Sequence, residues 1–164
     1  MRRVREISFA RLCKESNKAA VKPPKPNSVR RDANPLHVAA YRKSVGLAQE
    51  ELFDSTYGPN QLSLAQLATH PDYWRRGIAS RLLKWGIERG RREILPITVF
   101  AGPTAYNLYY SFGFRNAGTV VTTVVGEEES IEFPGLVWEP ENCIRFNERR
   151  SRQLKVAYDP VTQS

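Results

Sequence analysis

Little in this chain invites metal or redox chemistry. Its 164 residues include two cysteines, two histidines and one methionine. Cys13 and Cys143 show no metal-ligand spacing, and two isolated cysteines fit free thiols of an intracellular protein better than a disulfide framework. No stretch approaches the roughly 18 consecutive apolar residues that a membrane-spanning helix requires. The N-terminus lacks the apolar core of a secretory signal. These absences exclude a disulfide-stapled secreted scaffold, a metal-centred site and a helical membrane protein. They point to the cytoplasm, with a nuclear or mitochondrial location as alternatives. Arg2, Arg3, Arg5 and Arg11 alternate with apolar residues as in a mitochondrial leader, against which Glu6 and Glu15 count.

What is present is the composition of an ordinary globular domain: 41% hydrophobic and 26% charged residues. The net charge of +8 is local. Residues 1–31 hold ten Lys and Arg against two Glu, whereas the remaining 133 residues hold equal numbers of each sign. The basic excess is therefore a property of an N-terminal segment, 1–34, expected to be poorly ordered and solvated. Such an arm suits an acidic partner or nucleic acid. Phe9 is its sole aromatic, so base stacking has little support and nucleic acid ranks last among partners.

Residues 4–13 alternate weakly, as an edge strand would. The prolines at 23, 24 and 26 make 22–27 a linker, since they forbid both helix and ladder pairing. A helix is expected from Pro35 to about Asp54, weakened by Gly46. Strands follow over 62–69 and 97–100, separated by a helix over 76–89 that Gly90 ends. In that helix Ile78, Leu82, Leu83, Trp85 and Ile87 form the apolar stripe, with Trp85 as core. A second helix over 104–112 is capped by Thr104 or preceded by Pro103. Strands over 117–125 and 131–138 form a hairpin around the charged turn 126–130. From Glu139 onward the chain turns polar, giving a tail over 141–164 with at most a short helix at 144–154. The sum is an α/β fold with a mixed sheet, its domain body spanning 35–140.

The most informative segment runs from Ala65 to Leu83. An apolar run ends at Pro71-Asp72, the tight loop Arg75-Arg76-Gly77-Ile78-Ala79 follows, and a helical pattern begins. The first turn of a helix carries unpaired N–H groups and the positive end of the helix dipole, both favourable to an anion. Gly77 removes a side chain where a phosphate would approach, Ala79 keeps the next position small, and two arginines add charge. From these residues alone, a phosphate-holding turn and a solvated basic turn are equally compatible. Farther on, the segment from Phe100 to Phe114 reads as a strand end, a short helix and a Gly-Phe exit.

Together the two blocks resemble the GNAT superfamily of acyl-CoA-dependent N-acetyltransferases. Trp74-Arg75-Arg76-Gly77-Ile78-Ala79 matches all but the first position of Gln/Arg-x-x-Gly-x-Gly/Ala. Ala105, Leu108, Tyr109, Gly113 and Phe114 match Ala-x-x-Leu-Tyr-x-x-x-Gly-Phe. The wording around both blocks is similar to that of fungal members, and the likeness covers roughly 62–138. It implies a GNAT-like mixed sheet whose two central strands splay to admit the pantetheine arm of acetyl-CoA. It also implies cofactor contacts from Leu67, Ala68, Thr69, Arg75, Arg76, Gly77, Ile78, Ala79 and Ser80, with Tyr109 as general acid.

The implied reaction is acetyl transfer from acetyl-CoA to a primary amine, on a small molecule or a peptide. Three departures bear on it. Trp74 replaces the usual polar residue, and Gly102 stands where many relatives have Asn. Ala65 and Gln66 stand where a carboxylate base is common, leaving His70 as the nearby group of suitable pKa. Before the cofactor strand the chain offers about 60 residues with little strand pattern, so a shortened or divergent acceptor half is expected. Two alternatives follow: a homodimer-completed site, or an acetyl-CoA-binding regulatory module without a complete acceptor site.

Overall fold

In the computed structural model the described residues are 5–8, 34–141, 143 and 152–160. The proline linker, Cys13 and most of the helix expected over 144–154 lie outside them.

Six strands form one sheet: β1 (Arg5–Ser8), β2 (Leu62–Gln66), β3 (Ile97–Phe100), β4 (Arg115–Val124), β5 (Ser130–Trp138) and β6 (Arg152–Tyr158), in the order β1-β2-β3-β5-β4-β6. β1 lies parallel to β2 at one edge, β3 and β5 are antiparallel, and β6 runs parallel to β4 at the other edge. Helix α1 (Pro35–Ala48) continues through a π-helical segment, Gln49–Asp54, into the single turn α2 (Ser55–Tyr57). Helix α3 (Ile78–Glu93) links β2 to β3, and the short α4 (Tyr106–Ser111) precedes β4.

Alternation along the strands sorts the core into two layers. Leu62, Leu64, Ile97, Val99, Leu136 and Trp138 pack with Leu83 and Ile87 of α3 and Tyr109 of α4. The intervening positions, among them Val120, Phe133 and Val137, pack with Ala48, Leu52, Phe53 and Tyr57 from the helical run on the opposite face. β3 is therefore covered on both sides, which is why its short apolar sequence shows no polar alternation. A buried polar chain anchors its second face. Thr98 donates to Gln61 at 2.9 Å, and Gln61 donates to Asp54 at 2.7 Å and to the Gly58 carbonyl at 2.9 Å.

Two glycines set close approaches. A Cβ at Gly135 would lie 3.0 Å from Leu52 and 3.1 Å from Phe53, so the absence of a side chain lets the π-helical segment settle on β5. A Cβ at Gly90 would meet the Leu95 carbonyl at 3.0 Å and Trp138 at 3.1 Å. Gly90 does not end the helix. It lies inside α3 at the point of closest packing, and Ile94, with φ of 53°, takes the left-handed position after Glu93.

Four further expectations are corrected. Trp85 is not core: it is 36% exposed, because α3 turns Leu83, Gly86, Ile87 and Gly90 inward. β2 stops at Gln66 rather than 69, since Pro71-Asp72-Tyr73 forms a 3₁₀ turn that needs an irregular approach. Residue 105, not Thr104, precedes the first residue of α4. The segment expected to be a polar tail contains β6, whose Leu154, Val156 and Tyr158 alternate with Gln153, Lys155 and Ala157 and supply a buried side to β4. The alternation was present in the sequence but was outweighed by the polar residues on either side of it.

Candidate active site

The two central parallel strands share only two register pairs, Leu62 with Ile97 and Ser63 with Thr98. Beyond them β2 continues to Gln66 and β3 to Phe100 without pairing with each other, so the strands part toward their C-terminal ends. This is the splay that the sequence resemblance implies. α3 begins beside the opening, and α4 closes its far side.

At the mouth of α3 the backbone takes two left-handed steps, Arg75 with φ of 61° and Gly77 with φ of 71°. The left-handed region carries little strain for glycine and more for arginine. Gly77 is the N-cap and offers no side-chain acceptor. The first intrahelical backbone bond there runs from Arg81 N–H to the Gly77 carbonyl at 3.0 Å. The N–H groups of Ile78, Ala79 and Ser80 therefore precede the ladder, at the positive end of a 16-residue dipole.

A cavity of about 640 Å³ joins this helix start to the splay. Of the residues expected at the site, Leu67, Thr69, Arg75, Gly77, Ile78, Ala79, Ser80 and Tyr109 line it. Ala68 and Arg76 do not. Ala68 is exposed, and the Arg76 guanidinium sits 5.4 Å from the Tyr73 ring centre. The lining also includes Tyr73, Trp74, Thr104, Ala105 and Leu108. Ala105 and Leu108 were visible as motif positions, whereas Trp74 carried only the sign of a departure. The Trp74 indole N–H donates to the Thr69 carbonyl at 2.7 Å, spanning the 3₁₀ turn.

Tyr109 occupies the inner end of the cavity. It is buried, its ring lies 5.3 Å from that of Phe114, and burial raises its phenol pKa above the ordinary value, so the hydroxyl keeps its proton. Tyr106 and Tyr110 stack on each other on α4 with ring centres 6.1 Å apart. His70, weighed as a base, is absent from the lining. It is exposed, and its Nδ1 accepts from the Asp72 N–H at 3.4 Å.

A nucleotide-tailed thioester can be tested against these residues. Thr69 Oγ1 is a buried hydroxyl without a hydrogen-bond partner, at the wall of the cavity. Buried polar groups are rarely left unsatisfied, so the site suits a ligand carrying polar groups along its length. The helix start suits phosphate, and the cavity offers an apolar wall from Leu67 and Leu108. The residues fit such a group. Among the described residues no cluster of three His, Cys, Asp or Glu side chains is arranged to hold a metal ion. No helix there is long and apolar enough to cross a membrane.

The splayed parallel pair, the helix start at its mouth and Tyr109 share one cavity. The sequence profile described as "Acetyltransferase (GNAT) domain" matches residues 33–116, more than half of the chain, and the chain belongs to that family. Members of this family generally use acetyl-CoA. No curated protein matches the chain.

Proposed function

We propose that this protein transfers an acetyl group from acetyl-CoA to a primary amine. The observation that carries the reading is the single cavity running from the start of α3, through the splay, to Tyr109. When bound, acetyl-CoA supplies an acyl group on a thioester sulfur. The N–H groups of Ile78, Ala79 and Ser80, with the Arg75 side chain, hold the pyrophosphate. Leu67 and Thr69 offer backbone groups to the pantetheine amides, as a paired strand would. Thr69 contributes its N–H and its hydroxyl most directly, because its carbonyl already accepts from Trp74.

Tyr109 acts as general acid. When the amine nitrogen bonds the acyl carbon and the carbon–sulfur bond breaks, the phenol would give its proton to the departing sulfur; the proton lost by the nitrogen would pass to solvent, from which the phenol is reprotonated. A neutral phenol is the required form, and burial maintains it. His70 is not assigned as base, since its imidazole lies outside the cavity lining.

The test is Tyr109→Phe. Turnover is expected to fall about 100-fold or more, with acetyl-CoA affinity by calorimetry unchanged; full activity would overturn the assignment. Gly77→Glu is expected to abolish acetyl-CoA binding by repelling the pyrophosphate.

A second reading, a cofactor-binding module without turnover, draws on one observation: among the described residues no carboxylate or imidazole lines the cavity. Tight acetyl-CoA binding with no acetylation across a broad amine panel would favour it.

A further inference from the structure

Two rings at the α3 end of the cavity contribute little to the core. Tyr73 is 49% exposed and Trp74 62%, yet both line the same cavity as the start of α3 and Tyr109. Large aromatic surface left in water at the rim of a cavity is surface that a ligand can cover. Both rings are held in place before any ligand arrives. Tyr73 sits in the 3₁₀ turn, with its N–H donating to the His70 carbonyl at 2.9 Å, and the Trp74 indole is fixed on the Thr69 carbonyl.

Arg76 completes the group. It lies outside the lining, but its guanidinium stands 5.4 Å from the Tyr73 ring centre, within cation–π range. A flat ring with a cation beside it matches a ligand that carries a flat base and an anionic group close together. The acid in this turn, Asp72, is exposed and has its Oδ2 3.4 Å from His70 Nδ1. It stands against two arginines, Arg75 and Arg76, so the turn keeps a positive balance.

Position selects the occupant. Tyr73 and Trp74 directly precede the loop whose following N–H groups suit a pyrophosphate, whereas Tyr109 lies at the inner end of the cavity. In acetyl-CoA the adenosine hangs from the pyrophosphate, and the thioester lies at the far end of the pantetheine arm. Rings beside the pyrophosphate loop therefore meet the purine and not the amine acceptor. Every base offers a π-face to an aromatic side chain, so the contact needs no hydrogen-bond code.

We propose that Tyr73, flanked by Trp74, seats the adenine of the donor and makes the protein select a nucleotide-tailed thioester over a bare 4′-phosphopantetheine thioester. This rests on the acetyl-transfer reading above and names the donor class for that site.

The test is calorimetric titration of the full chain with acetyl-CoA and with S-acetyl-4′-phosphopantetheine, which keeps the thioester arm and lacks the adenosine. The parent protein is expected to bind acetyl-CoA about 10-fold more tightly or better. Tyr73→Ala is expected to weaken acetyl-CoA by about 5- to 50-fold while leaving the truncated thioester within about 2-fold. Its thermal midpoint is expected to be unchanged, because the side chain is exposed. Tyr73→Phe keeps the ring and is expected to bind acetyl-CoA as the parent does. Equal affinity of the parent for the two thioesters overturns the proposal. So does equal weakening of both in Tyr73→Ala, an unchanged acetyl-CoA affinity in that variant, or a Tyr73→Phe as weak as Tyr73→Ala. Each of these leaves acetyl-CoA binding, and with it the transfer reading, standing. If folded protein binds neither thioester, the transfer reading falls. The base seat is then decided by titration with adenosine 3′,5′-bisphosphate: binding lost in Tyr73→Ala supports it, and no binding, or binding indifferent to that substitution, overturns it.

Discussion

The indole N–H of Trp74 donates to the carbonyl of Thr69 at 2.7 Å, and this one bond ties the segment that follows β2 to the loop that leads into α3. Trp74 is 62% exposed, so its ring adds little to the core. Its value lies in holding the Pro71–Tyr73 turn in register and delivering Arg75 into its left-handed conformation.

Trp74→Phe keeps a ring and removes the donor. A hydrogen bond of this kind contributes about 0.5–1.5 kcal/mol net. Acetyl-CoA affinity by calorimetry is therefore expected to weaken about 2- to 10-fold, with little change in thermal stability. An unchanged affinity would mean that the loop is set without this bond.

Gly77 is open to a different test. A Cβ there meets nothing within 4 Å, so any cost of substitution comes from φ of 71° rather than from collision. Gly77→Val is expected to lose about 1–2 kcal/mol in denaturant unfolding, and Gly77→Asn much less, because asparagine tolerates the left-handed region. Equal losses for the two variants would contradict the conformational argument.

The order strand, helix, strand, helix, hairpin was legible because each element carries its own local signal. The tight loop before α3 was marked by Gly77, and β4 and β5 by β-branched residues flanking a charged turn. β3 was foreseen over the observed residues. Several of the errors trace to tertiary contacts that local pattern does not encode. Gly90 reads as a helix stop, yet Leu95, Ile97 and Trp138 need its missing side chain inside the helix. Trp85 reads as core by helical spacing, but the buried stripe is Leu83, Gly86, Ile87 and Gly90. β6 is short and set among polar residues, and its pairing with β4 lies about 35 residues away in sequence. Within the site, the loop and Tyr109 were marked by the resemblance to the GNAT motifs, and both line the cavity. The bond from Trp74 to Thr69 and the contact of Arg76 with the Tyr73 ring depend on neighbours brought together only by folding.

Gly135 reports on the packing of the π-helical segment. Gly135→Ala places a methyl about 3.0 Å from Leu52 and 3.1 Å from Phe53. Overpacking of this sort costs about 1–3 kcal/mol, to be read as a lower midpoint in urea. Gly102→Ala is the control, since its Cβ would meet nothing within 4 Å, and it is expected to be near neutral.

Tyr57 gives the fold an alkaline limit. Its ring is buried, and its hydroxyl donates to Glu139 at 3.0 Å, while Arg115 holds the other oxygen of that carboxylate at 3.1 Å. Burial raises the phenol pKa far above its ordinary value near 10, and the charge and hydrogen bond of Glu139 raise it further. The folded state therefore keeps a proton that the unfolded state releases above about pH 10. The stabilisation is fully present below that pH and is lost as pH rises toward the raised folded value, at about 1.4 kcal/mol per pH unit for this one group. Tyr57→Phe is expected to lower stability at pH 8 by about 1.5–3 kcal/mol, the range for a hydrogen bond to a charged partner. The same variant should show a shallower decline between pH 10 and 11 in urea unfolding. Some slope should remain, because Tyr109 is also buried and raised. A decline as steep in Tyr57→Phe as in the parent protein would place the alkaline sensitivity elsewhere.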